Sequence, residues 1–157
     1  EAEKKMELLQ EIITGIRTIR SRMNIPPGEK SDLIAKCDNE MAEFLQTHHT
    51  IIASLARTAS VLTGADQNKP EQSATVVIGK NELYIPLGGL IDLDVEMARL
   101  QKRADEINGH LLGISNKLSN KQFMSKAPEK VVAREKEKQE DMTAELVKVN
   151  ANLEILQ

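Results

Sequence analysis

"LDVEMARLQKRADEINGHLLGISNKL", residues 93–118, places apolar side chains at Leu93, Met97, Leu100, Ala104, Ile107, Leu111, Ile114 and Leu118, separated alternately by four and three. This is a heptad seam, the pattern of a helix that packs along its length on one other helix. A second seam runs through Val132, Glu135, Gln139, Met142, Leu146, Val149, Leu153 and Leu156 with the same alternation. Only a short polar stretch containing Pro128 lies between the two. Two helices so joined satisfy both seams at once by folding back on each other, which predicts an antiparallel coiled-coil hairpin over residues 93–157. At about 1.5 Å per residue the first helix would be about 40 Å long. Gly109 and Gly113 fall at outward positions of that helix, where each is less favourable than alanine by about 1 kcal/mol.

The stretch that joins the seams, "KLSNKQFMSKAPEKVVAREKEK" (residues 117–138), carries seven basic and three acidic side chains. Residues 93–157 as a whole hold eleven of each, so the excess positive charge sits at the bend and an excess of negative charge at the other end of the hairpin. Within a Debye length of about 8 Å such a bend presents a positive field that few acidic neighbours cancel, which suits a polyanion. Lys117, Lys121, Lys126, Lys130 and Arg134 are the candidate phosphate contacts, and Phe123 is one of only two phenylalanines in the chain. Two readings fit that ring: it closes the bend against Leu118 and Val132, or it stacks on an exposed base or sugar. The polar seam positions Glu135 and Gln139 weaken helix packing close to the bend.

Upstream the pattern is different. Residues 3–23 put Met6, Leu9, Ile12, Ile13, Ile16, Ile19 and Met23 on one stripe, an amphipathic helix that should stop at Asn24 because Pro26 and Pro27 follow. From residue 31 to 92 the spacing predicts a small α+β unit: a short β-compatible run at SDLIAKC, one helix over DNEMAEFLQTHHTIIASLA capped by Asp38 or Asn39, a polar loop at 64–73, and two strands, ATVVIG and ELYIPLGG, around a Lys80-Asn81 turn. The expected fold is therefore mainly α: an N-terminal helix, a small antiparallel sheet with one packed helix, then the hairpin.

Composition bounds the chemistry. In 157 residues there are two Phe, one Tyr and no Trp, too little bulky material for one large core, and the net charge is -3. No run of about 18 apolar residues occurs, and EAEKKMELLQ lacks the apolar stretch of a signal peptide, so the protein is read as cytoplasmic with no membrane partner. The chain opens on Glu1 with helical character from residue 3, which reads as part of something longer. Cys37 is the single cysteine, without a disulfide partner or ligand-spaced neighbours, so no metal site is expected. His48 and His49 are adjacent on a helix and point about 100° apart, with no orienting carboxylate, so no catalytic residues are assigned. Gly88-Gly89 and PPGEK lack the spacing of a phosphate-binding loop. Arg17, Arg20 and Arg22 end the first helix, with Glu1, Glu3, Glu7 and Glu11 towards its beginning. The helix dipole alone accounts for that arrangement, and RNA contact is the functional alternative.

At IRTIRSRMNIPPGEK (16–30), ELYIPLGGLIDLDVEMARLQK (82–102) and KLSNKQFMSKAPEKVV (117–132) the chain resembles the C-terminal end of the valyl-tRNA synthetases, in order and over essentially its whole length. The resemblance implies that residues 1–24 are the last helix of an anticodon-binding domain, 25–92 a small α+β extension and 93–157 a coiled-coil arm that leans on the outer corner of tRNA. It further implies a monomeric parent that uses ATP and magnesium to join valine to its tRNA, through HIGH and KMSKS motifs that do not occur here. FMSKA (123–127) only mimics the second. The implied role of this region is non-catalytic: its basic tip positions tRNA, and it needs no cofactor of its own. The rival reading is a hairpin that docks a partner protein helix.

Overall fold

The computed structural model describes all of residues 1–157 and divides into two compact units, Glu1–Leu93 with Ile155–Gln157, and Asp94–Glu154. No helix is long and apolar enough to cross a membrane.

The first unit opens with α1 (Ala2–Arg22), which buries Leu9, Ile12, Ile13, Ile16 and Ile19. The predicted stripe holds from Leu9 onward, whereas Met6 is 54% exposed. The helix ends as Asn24 adopts a left-handed conformation (φ 52°) and the Ile25 amide donates back to the Arg20 carbonyl at 3.0 Å. Asparagine tolerates that conformation, and the two prolines behind it prevent a further turn.

Next come β1 (Ser31–Lys36), α2 (Asn39–Thr47), α3 (His49–Ala56), β2 (Thr58–Gly64), β3 (Ser73–Ile78) and β4 (Asn81–Pro86). The sheet order is β2-β1-β4-β3. Here the structure corrects three expectations. The sheet is mixed rather than antiparallel: β1 and β2 run parallel, joined by a crossover through α2 and α3, while β4 pairs antiparallel with both β1 and β3. A parallel pair needs a long crossover, and the two helices supply it. The single helix predicted over 38–56 is two, broken at His48 (φ -104°, ψ 13°). The hairpin turn is Gly79-Lys80, one residue earlier than read, because Gly79 supplies the positive φ (60°) that a tight hairpin turn requires while Asn81 already pairs with Ile78. Asp38 is the cap of α2, its carboxylate accepting from the Met41 amide at 2.9 Å.

Leu33, Ala35, Leu83 and Ile85 from the two central strands meet the apolar stripe of α1 and the buried Leu45 and Ile52 of α2 and α3 as the core. Gly15 allows α1 to approach β3 closely: a Cβ there would lie 2.6 Å from Cγ1 of Val76. Leu156 is fully buried, and its carbonyl accepts from Nε2 of Gln72 at 3.2 Å.

The second unit is the helical pair. α4 (Leu93–Ser119) and α6 (Glu129–Leu156) are joined by α5 (Lys121–Lys126), so the expected simple bend contains a short helix of its own. On α4 the seam residues Leu100, Ala104, Ile107 and Ile114 are buried, and on α6 Glu135, Val149 and Leu153. Cross-helix pairs run Arg103 with Glu145 and Lys117 with Glu135, so positions advance along α4 as they retreat along α6. That is antiparallel register. The Arg103 guanidinium grips Glu145 with a fork, Nε to Oε1 at 2.8 Å and Nη2 to Oε2 at 3.0 Å. Gly109 and Gly113 face open space, as their outward heptad positions, away from the seam, require.

Candidate nucleic-acid interface

The end of the helical pair is built by two breaks in the helix, at Asn120 and at Ala127. α4 stops at Ser119, and the Asn120 side chain caps α5 by accepting from the Gln122 and Phe123 amides at 2.9 and 3.3 Å. α5 lasts six residues. Its cap residue Ala127 is extended (φ -71°, ψ 139°), as a residue before proline must be, and the Pro128 carbonyl opens α6 by accepting from the Val131 and Val132 amides. A capping asparagine and one proline thus set the geometry of the end.

Lys121, Lys126, Lys130 and Arg134 are exposed on these elements, and the ion pairs of the structure lie elsewhere. Lys117 is different. Its Nζ lies 3.8 Å from Oε1 of Glu135, an oxygen that also faces Lys138 Nζ at 3.6 Å. Glu135 is only 8% exposed, so a seam carboxylate is partly neutralised by one ammonium from each helix. Phe123 is half-buried, as are Leu118 and Val132. Part of the ring therefore remains open to solvent at an end rich in lysine.

The three arginines of α1 separate. Arg17 and Arg22 are exposed, whereas Arg20 is 7% exposed and its guanidinium donates to the carbonyls of Arg57, Pro26 and Glu29 at 3.4, 3.1 and 2.5 Å. Arg20 thereby ties the end of α1 to the following loop and to the end of α3, a role its sequence position did not reveal. Burial, and then the positive charge of Arg57, push its pKa below the ordinary arginine value.

The residues weighed for nucleophilic chemistry each have local contacts of their own. Burial pushes the Cys37 thiol up, away from the reactive thiolate. The His48 ring packs on Phe44 at 4.4 Å, and Nδ1 of His49 sits 2.8 Å from the Gln46 carbonyl. No three His, Cys, Asp or Glu side chains come together in a way that could hold a metal ion.

Residues 92–157 match the family model described as the valyl tRNA synthetase tRNA binding arm. Nearly the whole chain is similar to valine-tRNA ligases: 38% identical over 152 residues to that of Syntrophotalea carbinolica, covering 96% of this chain and 17% of the relative. The corresponding enzyme of Desulfotalea psychrophila is 34% identical with the same coverage, and that of Nitratidesulfovibrio vulgaris 37% identical over 93% of this chain and 17% of its own. The chain thus spans about one sixth of the length of the curated relatives it matches.

Proposed function

From the match of residues 92–157 to the valyl tRNA synthetase tRNA binding arm and the similarity of nearly the whole chain to valine-tRNA ligases, we propose that this chain is a non-catalytic tRNA-binding region of a valine-tRNA ligase. Four exposed cations without carboxylate partners, gathered where α4, α5 and α6 meet, carry the reading. Lys121, Lys126, Lys130 and Arg134 take backbone phosphates, and Lys117 does so in competition with Glu135. Phe123 offers its exposed part to a base or sugar. Release of condensed counterions drives such contacts, so affinity falls with salt at a log-log slope of about 0.9 per phosphate on duplex. The binding fixes the orientation of tRNA, so that its acceptor end reaches a catalytic site outside these residues.

No group of three or more His, Cys, Asp or Glu side chains is placed to hold a metal ion, and Gly88-Gly89 and PPGEK lack the spacing of a phosphate-binding loop, so this reading assigns ATP and magnesium no residues in this chain. On this reading both belong to the parts of the ligase that the chain does not span. Specificity for valine tRNA is a further part of the proposal, supported by the names of the relatives, and a cytoplasmic location and a monomeric state are carried as parts of the same reading.

The test is a tRNA titration of this chain at two salt concentrations, comparing it with the Lys121→Glu, Lys126→Glu double variant. Weaker binding, a flatter salt dependence and unchanged helix content are expected. Equal affinity in both proteins would reject the tip as an RNA contact.

A further inference from the structure

The first unit contains thirteen acidic and ten basic residues before Leu93, so an exposed polyanion should be repelled by most of its surface. One place departs from this. A hollow of about 410 Å³ lies between the end of α1, the loop after it and the end of α3. Arg17, Arg20 and Arg57 all line it, and no carboxylate does. Ser21 and Ser54 border it, and Leu55, 49% exposed, forms an apolar flank.

Three features make this more than a chance grouping of surface arginines. Arg20 is buried and held on three carbonyl groups, so its charge is fixed in place and balanced by dipoles rather than by a counter-ion in contact. A cation so placed is costly to bury and keeps a net positive field at the floor of the hollow. Arg57 sits in the left-handed region (φ 54°, ψ 53°), a conformation unfavourable for a long side chain by about 1–2 kcal/mol. Its carbonyl is thereby placed to receive both the Ser31 amide at 3.0 Å and the Arg20 guanidinium, while its side chain stays exposed on the rim. Finally, the Arg57 charge acts on Arg20 to lower its pKa, against a smaller opposing contribution from Glu29, so the two arginine charges lie within range of one another.

From this we infer that the hollow is a second phosphate-binding site for RNA, with Arg17 and Arg57 as the contacts on its rim and Arg20 as the positioning residue that sets the field beneath them. The guanidinium fork matches the oxygens of a phosphodiester, and two forks around a basic floor accept one or two consecutive phosphates of a strand. The exposed Leu55 side chain flanks the same hollow, where the sugar of that strand would pass. Arg22, grouped with Arg17 and Arg20 by sequence, does not line the hollow, and Arg57, thirty-five residues further on than Arg22, does. The inference rests on the reading of this chain as a tRNA binder and adds to it a contact outside the arm.

The experiment uses this chain and tRNA, with three proteins: the unmodified chain, the tip variant Lys121→Glu with Lys126→Glu, and a hollow variant Arg17→Gln with Arg57→Asn. Asparagine is chosen because it tolerates the left-handed backbone at position 57. The hollow variant should bind tRNA on the order of tenfold more weakly, with the log-log salt slope reduced by about 1 to 2. If the tip variant loses affinity and the hollow variant does not, the second site is overturned and the tip stands. If the hollow variant alone loses affinity, the second site stands and the tip reading fails. If neither loses affinity, both are overturned. Should the hollow variant melt early, protection of Arg17 and Arg57 by tRNA against phenylglyoxal, measured on the unmodified chain, decides: protection supports the site and equal modification removes it.

Discussion

Replacing Gly109 and Gly113 by alanine should stabilise the helical pair, while the same substitution at Gly15 should destabilise the first unit. In an exposed helix interior alanine is favoured over glycine by about 0.8–1.0 kcal/mol, because glycine loses more backbone freedom on folding. At positions 109 and 113 a new Cβ meets no atom within 4 Å, so nothing offsets the gain, and the double change is worth about 1.5–2 kcal/mol. At Gly15 the same gain meets a collision. The Cβ would stand 2.6 Å from Cγ1 of Val76 and 3.6 Å from Cγ2, when carbon atoms prefer about 3.5–4.0 Å. Val76 cannot easily retreat: its χ1 is restricted by branching, and its backbone is in register with Leu83 on β4. Overpacking of this kind costs about 1–3 kcal/mol, which exceeds the helix gain.

Tyr84 makes the assay specific to a unit. It is the single tyrosine of a chain without tryptophan, 3% exposed within the first unit, so its emission follows that unit during urea unfolding. Amide exchange along α4 reports the other. Gly15→Ala should lower the midpoint of the Tyr84 transition and leave α4 exchange unchanged, and the arm variants should slow α4 exchange without moving Tyr84. A Gly15→Ala protein at least as stable as the original would refute the packing argument, and unprotected α4 amides in the arm variant would refute the propensity argument.

Three further substitutions test the parts described above. Arg20→Met removes the donor from three carbonyls and should lower the stability of the first unit by on the order of 3 kcal/mol in urea titration. Asp38→Ala removes the α2 cap and the partner of Lys80 Nζ, 2.9 Å away; the Lys80 hydrogen bond and the Met41 amide hold the Asp38 pKa below 3.8, so its contribution is complete above that pH and is lost as pH falls through the depressed value. The stability difference between Asp38→Ala and the original chain should accordingly close in acid and persist at neutral pH. Phe123→Ala should weaken tRNA binding by about 1–3 kcal/mol with little salt dependence, measured by titration at two salt concentrations. A lowered melting temperature with unchanged affinity would instead assign the ring to closing the end of the hairpin.

What sequence revealed and what it hid divides along the range of the interactions involved. The seams were legible because a heptad spacing is a local statement about one helix face, and the buried set on α4 is that seam. The Asp38 cap was legible for the same reason. β2 was not, because TASVLTG has weak alternation and its strand character comes from pairing with β1, twenty-seven residues away at the Ser31–Thr58 position. The break at His48 carries no glycine or proline, and nothing in the local residues announces it. α5 was hidden by shortness, six residues being too few for a period to show. At the candidate sites the cationic residues of the arm were visible as composition, whereas the burial of Arg20 and its meeting with Arg57 depend on the α2–α3 crossover bringing the end of α3 to the end of α1. Sequence distance concealed that pair.

Glu135 connects the seam to the basic tip. An apolar residue at its position would pack better, since a buried carboxylate forgoes hydration, and replacing buried ion pairs by hydrophobic residues often stabilises a protein. The carboxylate is tolerated here because Lys117 from α4 and Lys138 from α6 both approach Oε1, at 3.8 and 3.6 Å, distances longer than a direct hydrogen bond. Those two ammonium groups therefore spend part of their field on the protein itself. The positive potential that reaches a partner then comes mainly from Lys121, Lys126, Lys130 and Arg134, which have no such obligation. A phosphate binding at Lys117 would have to compete with a carboxylate that has little access to water, whereas one binding at Lys121 or Lys126 displaces only solvent and counterions. Removal of Lys117 consequently disturbs the packing next to the tip as well as its charge, and removal of Lys121 or Lys126 changes charge alone. This is why the latter pair, and not Lys117, isolates the electrostatic contribution of the tip to tRNA binding.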